Sequence, residues 1–236
     1  MNEKICEPIM DEKIIVALVA IIVSWLFAQM TEYVKYRWAG KKTKNGLVTE
    51  LSDIQNQLQR ISVRGARQLQ VASLKGMEPS SSLPVANMFY TQYFKDAFAH
   101  LNREQRISYQ LIHSSLESLN TQNESLIQFF EESYKDLCIF PDDEKKEAII
   151  KVWRDRVIAS YKNTMIIRWH INYHLNKPES PSFDIMGEMH ESYVKFLSDL
   201  DQDVKEIMKN AKNKLNIKDF EVIYDKTMFE ESQKSV

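Results

Sequence analysis

Residues Ile14 to Met30 read IIVALVAIIVSWLFAQM, seventeen positions without a charge, in which only Ser24 and Gln29 are polar. As a helix this run extends about 26 Å, slightly less than a hydrocarbon core of about 30 Å. Lys13, Lys35 and Arg37 flank it and can reach the interface with their long side chains. Trp25, Tyr33, Tyr36 and Trp38 suit the aromatic belt of a bilayer. The run is apolar on every face, which fits neither a surface-lying amphipathic helix nor a one-sided core helix. A secretory leader would carry a basic start and a small-residue cleavage site, whereas residues 1–13 hold Glu3, Glu7, Asp11 and Glu12 against Lys4 and Lys13. The stretch therefore reads as a transmembrane helix.

The flanks set the expected orientation. Lys35, Arg37, Lys41, Lys42 and Lys44 follow the run with only Glu32 opposing them. The positive-inside rule then places the C-terminal side in the cytoplasm. The expected organisation is a short non-cytoplasmic N-terminus (1–13), a span with its interfacial flank (14–38), a basic juxtamembrane hinge (39–46), a helical cytoplasmic domain (47–215) and a tail (216–236). The expected location is the cell membrane, single-pass, N-terminus outside.

Beyond the hinge, Leu47, Leu51, Ile54, Leu58 and Ile61 recur in alternating steps of four and three, the seam of helices packed side by side. GMEPSSSLP, residues 76–84, is the clearest loop. A second stretch opens at Asn87, a candidate N-cap, and is open to a break at Asn102. Its seam is Tyr109, Ile112, Leu116, Leu119, Asn123, Leu126 and Phe130. Asp142 is a candidate cap for a third helix, whose wide apolar face marks it as central. A last helix is expected over about Ser182–Leu215, with Met186, Met189, Tyr193, Phe196, Leu200, Val204 and Ile207 on its seam. The fold class is all-α, an N-terminal transmembrane helix followed by a bundle of about four long helices.

Composition agrees. The 236 residues include only 5 Gly and 6 Pro, against average usage of about 7% and 5%. Neither GxGxxG nor GxxxxGK[ST] occurs, which argues against Rossmann and P-loop enzymes. A net charge of −2 offers no global case for nucleic-acid binding, and none is expected. Cys6 and Cys138 are too few for a disulfide framework or a cysteine zinc site and read as free thiols.

Several constellations could carry chemistry. Arg60, Arg64 and Arg67 share a helical face in a segment without acids, a candidate site for an anion, lipid headgroup or nucleotide. Glu117, Glu124 and Glu131 form a matching stripe that would flank the arginines if the two helices packed antiparallel. His170 and His174 have metal-ligand spacing, with His190 as a possible third partner. Without the acid of HExxH or a third ligand fixed by spacing, neither a metal nor another cofactor is expected. The aromatics Phe89, Tyr90, Tyr93, Phe94 and Phe98 read as core rather than as a stacking platform.

Two segments, Arg106 to His113 and Arg168 to His174, resemble the Arg-x(4–6)-His motif of HEPN-type ribonucleases, which are themselves helical bundles. The resemblance implies RNase chemistry by Arg106/His113 or Arg168/His174. The residue after each arginine, commonly polar in that family, is Ile107 or Trp169 here. The residues thus favour a non-enzymatic, membrane-anchored interaction or scaffold module. Its expected partners are the bilayer and a protein or second copy met through its helices. A tethered RNase and an anionic-ligand sensor are the alternatives.

Overall fold

A computed structural model describes residues 12–79, 84–139, 143–182 and 186–214. Residues 1–11, the whole tail (216–236), Asp142 and the side chain of Cys138 lie outside the described residues. All regular structure among the described residues is helical, and no strand occurs among them. The order is α1 (Glu12–Ser73), α2 (Met88–Ala97), a single 3₁₀ turn (Phe98–His100), α3 (Arg103–Ile139), α4 (Asp143–Asn176) and α5 (Glu188–Lys214).

The helix α1 is unbroken for 62 residues. Its N-terminal part is long and apolar enough to cross a membrane, and none of that window is buried within the chain. Residues 39–46, expected as a hinge, are helical. Gly40 and Gly46 serve contact here rather than flexibility. A Cβ at Gly40 would lie 2.5 Å from Nδ1 of His100, and one at Gly46 would lie 2.2 Å from Cζ of Phe89. Their missing side chains let α2 and the 3₁₀ turn press onto α1. The helix stops at a Schellman turn, in which Gly76 N–H donates to Val71 C=O (3.0 Å) and Lys75 N–H to Ala72 C=O (3.2 Å). The left-handed residue is Lys75 (φ 61°), one position before the glycine.

Helix α2 then carries the chain back toward Gly40, so α3 starts at the same end as α1's mid-section. The cap of α2 comes from elsewhere than expected. Asn87 stands at the N-cap position but makes no side-chain cap bond. Instead, Glu50 of α1 accepts the backbone N–H groups of Phe89 (2.7 Å) and Tyr90 (2.8 Å). The expected break at Asn102 is a reciprocal capping box. Asn102 Oδ1 accepts from Gln105 N–H (2.8 Å), and Gln105 Oε1 accepts from Asn102 N–H (3.0 Å).

Helix α4 packs against α1, α3 and α5. It runs antiparallel to α1, as the pairs Gln55–Asn172 and Lys75–Glu147 show. It is also antiparallel to α3, through Ser108–His174 and Asn123–Ser160. Consequently α1 and α3 run parallel, not antiparallel, because α2 intervenes between them. Helix α5 starts at Glu188 rather than Ser182. Met186 has a left-handed backbone (φ 79°) that a helix cannot accommodate, and its side chain is exposed rather than on the seam.

The seams form two apolar clusters. The first joins Leu47, Leu51, Ile54 and Leu58 of α1 to Tyr109, Ile112, Leu116 and Leu119 of α3 and to Ile167 and Ile171 of α4. The second joins Ala66, Leu69 and Ala72 to Leu126, Trp153, Val157, Tyr161, Leu200 and Val204. Polar groups lie between them. Ser160 Oγ donates to Asn123 Oδ1 (2.9 Å), and Arg168 donates to Ser62 Oγ (2.9 Å), which itself donates to Gln59 C=O (2.8 Å).

Candidate functional site

The strongest concentration of chemistry-bearing side chains lies where α2, α3 and α4 meet. His113 of α3 is buried, and its ring stacks on Tyr90 of α2 with centroids 3.6 Å apart. Tyr109, one turn earlier, touches the ring of His174 from α4 at 4.4 Å. His174 is fully buried, and its Nδ1 shares a 2.7 Å hydrogen bond with Ser108 Oγ. The heptad seam of α3 places Tyr109 and Ile112 inward, and His113 follows on the same face. Neither ring nitrogen of His113, nor Nε2 of His174, meets a hydrogen-bond partner among the described residues.

Burial determines the charge of these rings. Desolvation, reinforced by nearby His174, holds His113 down at about 3. Desolvation holds His174 at about 4 and His170 at about 4. All three are neutral at physiological pH. A general base works best with a pKa near the working pH and must reach the proton it takes. Rings this buried and this weakly basic suit packing better than proton transfer.

The sequence-matched arginines meet other partners. Arg106 lies over the ring of Phe98, 4.4 Å from its centroid. Arg168 is half-buried and bonded to Ser62, and desolvation lowers its pKa. The structure brings together the two histidines of the Arg/His pairs and leaves their arginines with other partners. Within the arginine stripe, Arg60 and Arg64 are exposed, whereas Arg67 Nε meets both carboxylate oxygens of Glu78 at 2.9 and 3.0 Å. With α1 and α3 parallel, the glutamate stripe does not form the antiparallel flank foreseen for it. Glu117 instead lies near Tyr90, whose hydroxyl pKa is raised by burial and then by that carboxylate.

His170 faces Tyr193 of α5 (ring centroids 5.2 Å apart), and His174 faces Ser108. One helix face thus serves two different neighbours. His190, on α5, is half-buried. Among the described residues no group of three or more His, Cys, Asp or Glu side chains is placed to hold a metal ion. Of the aromatic group, Phe89, Tyr90 and Phe94 pack on the first apolar cluster, while Tyr93 and Phe98 remain partly exposed.

Two positions escaped the sequence reading. Glu50 caps α2 from 39 residues away in the chain. His100 sits against Tyr36, with ring centroids 4.5 Å apart, and against Gly40. The spacing of Gly40 and Gly46 was the only local signal for the latter contact. No family model matches the chain, and no curated protein or solved structure matches it.

Proposed function

We propose that this chain is a single-pass membrane-anchored interaction or scaffold module, with a helical bundle held at the cytoplasmic face and no catalytic centre of its own. One observation carries this reading. The apolar segment and the Leu47–Leu58 seam belong to one uninterrupted helix, α1. A helix has no soft joint unless a proline, a glycine pair or a bulge supplies one. The anchor and the core of the domain therefore move together. That coupling suits a protein whose task is to hold a helical surface in place for a partner or a second copy. The basic residues Lys41, Lys42 and Lys44 support a cytoplasmic position for the domain.

Cross-linking in native membranes, followed by sizing in detergent, tests the module. A discrete higher-order species containing this chain is expected. A strict monomer without any co-purifying partner would overturn the reading. Reagent access to single cysteines placed at Asn2 and at Glu131 tests the orientation, with access from outside expected only at Asn2.

A further inference from the structure

The corner between α2 and α3 lies beside the anchor, and its level follows from helix geometry. Tyr36 stands six residues beyond Met30, about 9 Å further along the axis. With the apolar run centred in a bilayer, the headgroup layer ends roughly 7–10 Å beyond Met30. His100 packs on Tyr36 and on Gly40. The turn Phe98–His100 is thereby held at the outer edge of the headgroup layer by the rigid α1. Phe98 is 42% exposed, and Arg106 covers one of its faces at 4.4 Å.

The same arrangement recurs on α1 at this level. Arg37 lies over Tyr33 at 5.9 Å, and Lys42 over Trp38 at 6.0 Å. Each pair couples an amphipathic or apolar ring to a cation, the composition that bilayer interfaces favour. Around the corner, Lys95 and Arg103 are exposed and basic. The acids there are Asp96, which is exposed, Glu104, whose carboxylate accepts a hydrogen bond from Ser180 Oγ at 2.6 Å, and Glu179, whose C=O accepts from Asn102 and whose carboxylate pairs with Lys44 at 3.7 Å.

We propose that the α2–α3 corner is a second membrane contact, with Phe98 at the outer edge of the headgroup layer and Lys95, Arg103 and Arg106 binding the phosphates of anionic phospholipids. This rests on the membrane-span reading of Ile14–Met30. It differs from the Arg60/Arg64/Arg67 stripe, which lies at least twenty residues beyond Gly40 on α1, about 30 Å further from the bilayer. A few basic side chains at an anionic surface bind it far more weakly than a buried span does. The corner therefore orients the domain on the bilayer rather than adding much to the anchorage of the span. Its occupant is the lipid surface because the span places that surface there.

The test uses the full chain in liposomes of phosphatidylcholine with or without one quarter phosphatidylglycerol. In a Cys6→Ser, Cys138→Ser background, Phe98→Cys, Ala99→Cys and Glu131→Cys each carry an environment-sensitive fluorophore. Lipid bearing a shallow nitroxide is the quencher. Quenching at 98 and 99 is expected to exceed that at 131 several-fold and to rise with phosphatidylglycerol. Replacing Lys95, Arg103 and Arg106 together by Gln should abolish that rise. Ala99→Cys keeps the test valid if the Phe98 variant misfolds. Alkaline carbonate extraction separates the two readings. If the chain stays in the pellet and 98 and 99 are quenched no more than 131, the corner proposal falls and the anchor stands. If carbonate strips the chain from the liposomes, both fall. Quenching at 98 and 99 that ignores phosphatidylglycerol overturns the anionic selectivity.

Discussion

His113 lies face to face with Tyr90, the ring planes 12° from parallel, in a pocket that gives neither imidazole nitrogen a hydrogen bond among the described residues. A neutral ring tolerates this and a charged one does not. Desolvation lowers the folded-state values of His113, His170 and His174 from 6.5 to about 3, 4 and 4. The unfolded chain thus binds protons before the folded one does. Stability is fully present above about pH 6.5 and declines as pH falls toward those folded values. In that window each histidine contributes a slope of about 1.4 kcal/mol per pH unit. Chemical unfolding of the detergent-solubilised chain followed by circular dichroism, from pH 7.5 to 5, should show the decline. His113→Phe, which keeps a stacking ring, should flatten it by about one histidine's share. An unchanged slope would mean that His113 is not buried neutral.

Glu50 caps α2 by accepting the N–H groups of Phe89 and Tyr90. Glu50→Ala removes both acceptors and should cost about 1–3 kcal/mol, because the helix N-terminus is left partly unsatisfied. Asn87→Ala should cost much less, since its side chain makes no cap bond. Unfolding midpoints of the two variants decide the order.

Ser160 and Asn123 form a buried hydrogen bond on the seam between α3 and α4. Asn123→Ala alone should destabilise by about 1–3 kcal/mol, from the lost bond and the space left behind. The pair Asn123→Leu with Ser160→Ala should lose less than the sum of its single changes, because both polar partners go together. A double-mutant cycle measures the difference, and strict additivity would refute the coupling.

Gly46 offers a sign test. In an exposed helix interior, replacing Gly by a larger residue gains roughly up to 1 kcal/mol of helix propensity. Here the new side chain meets the ring of Phe89, so Gly46→Leu should instead destabilise by about 1–3 kcal/mol through overpacking. Adding Phe89→Ala to Gly46→Leu should recover part of that loss. A Gly46→Leu chain more stable than the parent would show that residues 39–46 do not pack as described.

The seams of α1 and α3, the end of α1 before Gly76 and the break at Asn102 were legible because they depend on local periodicity and on residues that satisfy or interrupt the neighbouring backbone. The seam of α1 at Leu47, Leu51, Ile54 and Leu58 is fully buried where its steps of four and three placed it. The scarcity of Gly and Pro likewise foretold long helices. Residues 39–46 are helical where a hinge was expected, because a glycine in a basic stretch looks the same whether it bends the chain or admits a neighbour. Gly40 and Gly46 admit His100 and Phe89, residues that lie more than forty positions away. The same distance hid Glu50 as a cap, and the intervening α2 makes α1 and α3 parallel. Arg106 and His113 have motif spacing, yet packing sends the arginine to Phe98 and the imidazole to Tyr90. The sequence by itself determined which residues form helices and which helix faces are apolar, since both follow from the nearest turns of the chain. Only the tertiary structure decided which faces meet, which histidines lose contact with water and where the glycines matter. Those depend on contacts with elements remote in sequence, and no local pattern specifies the partner.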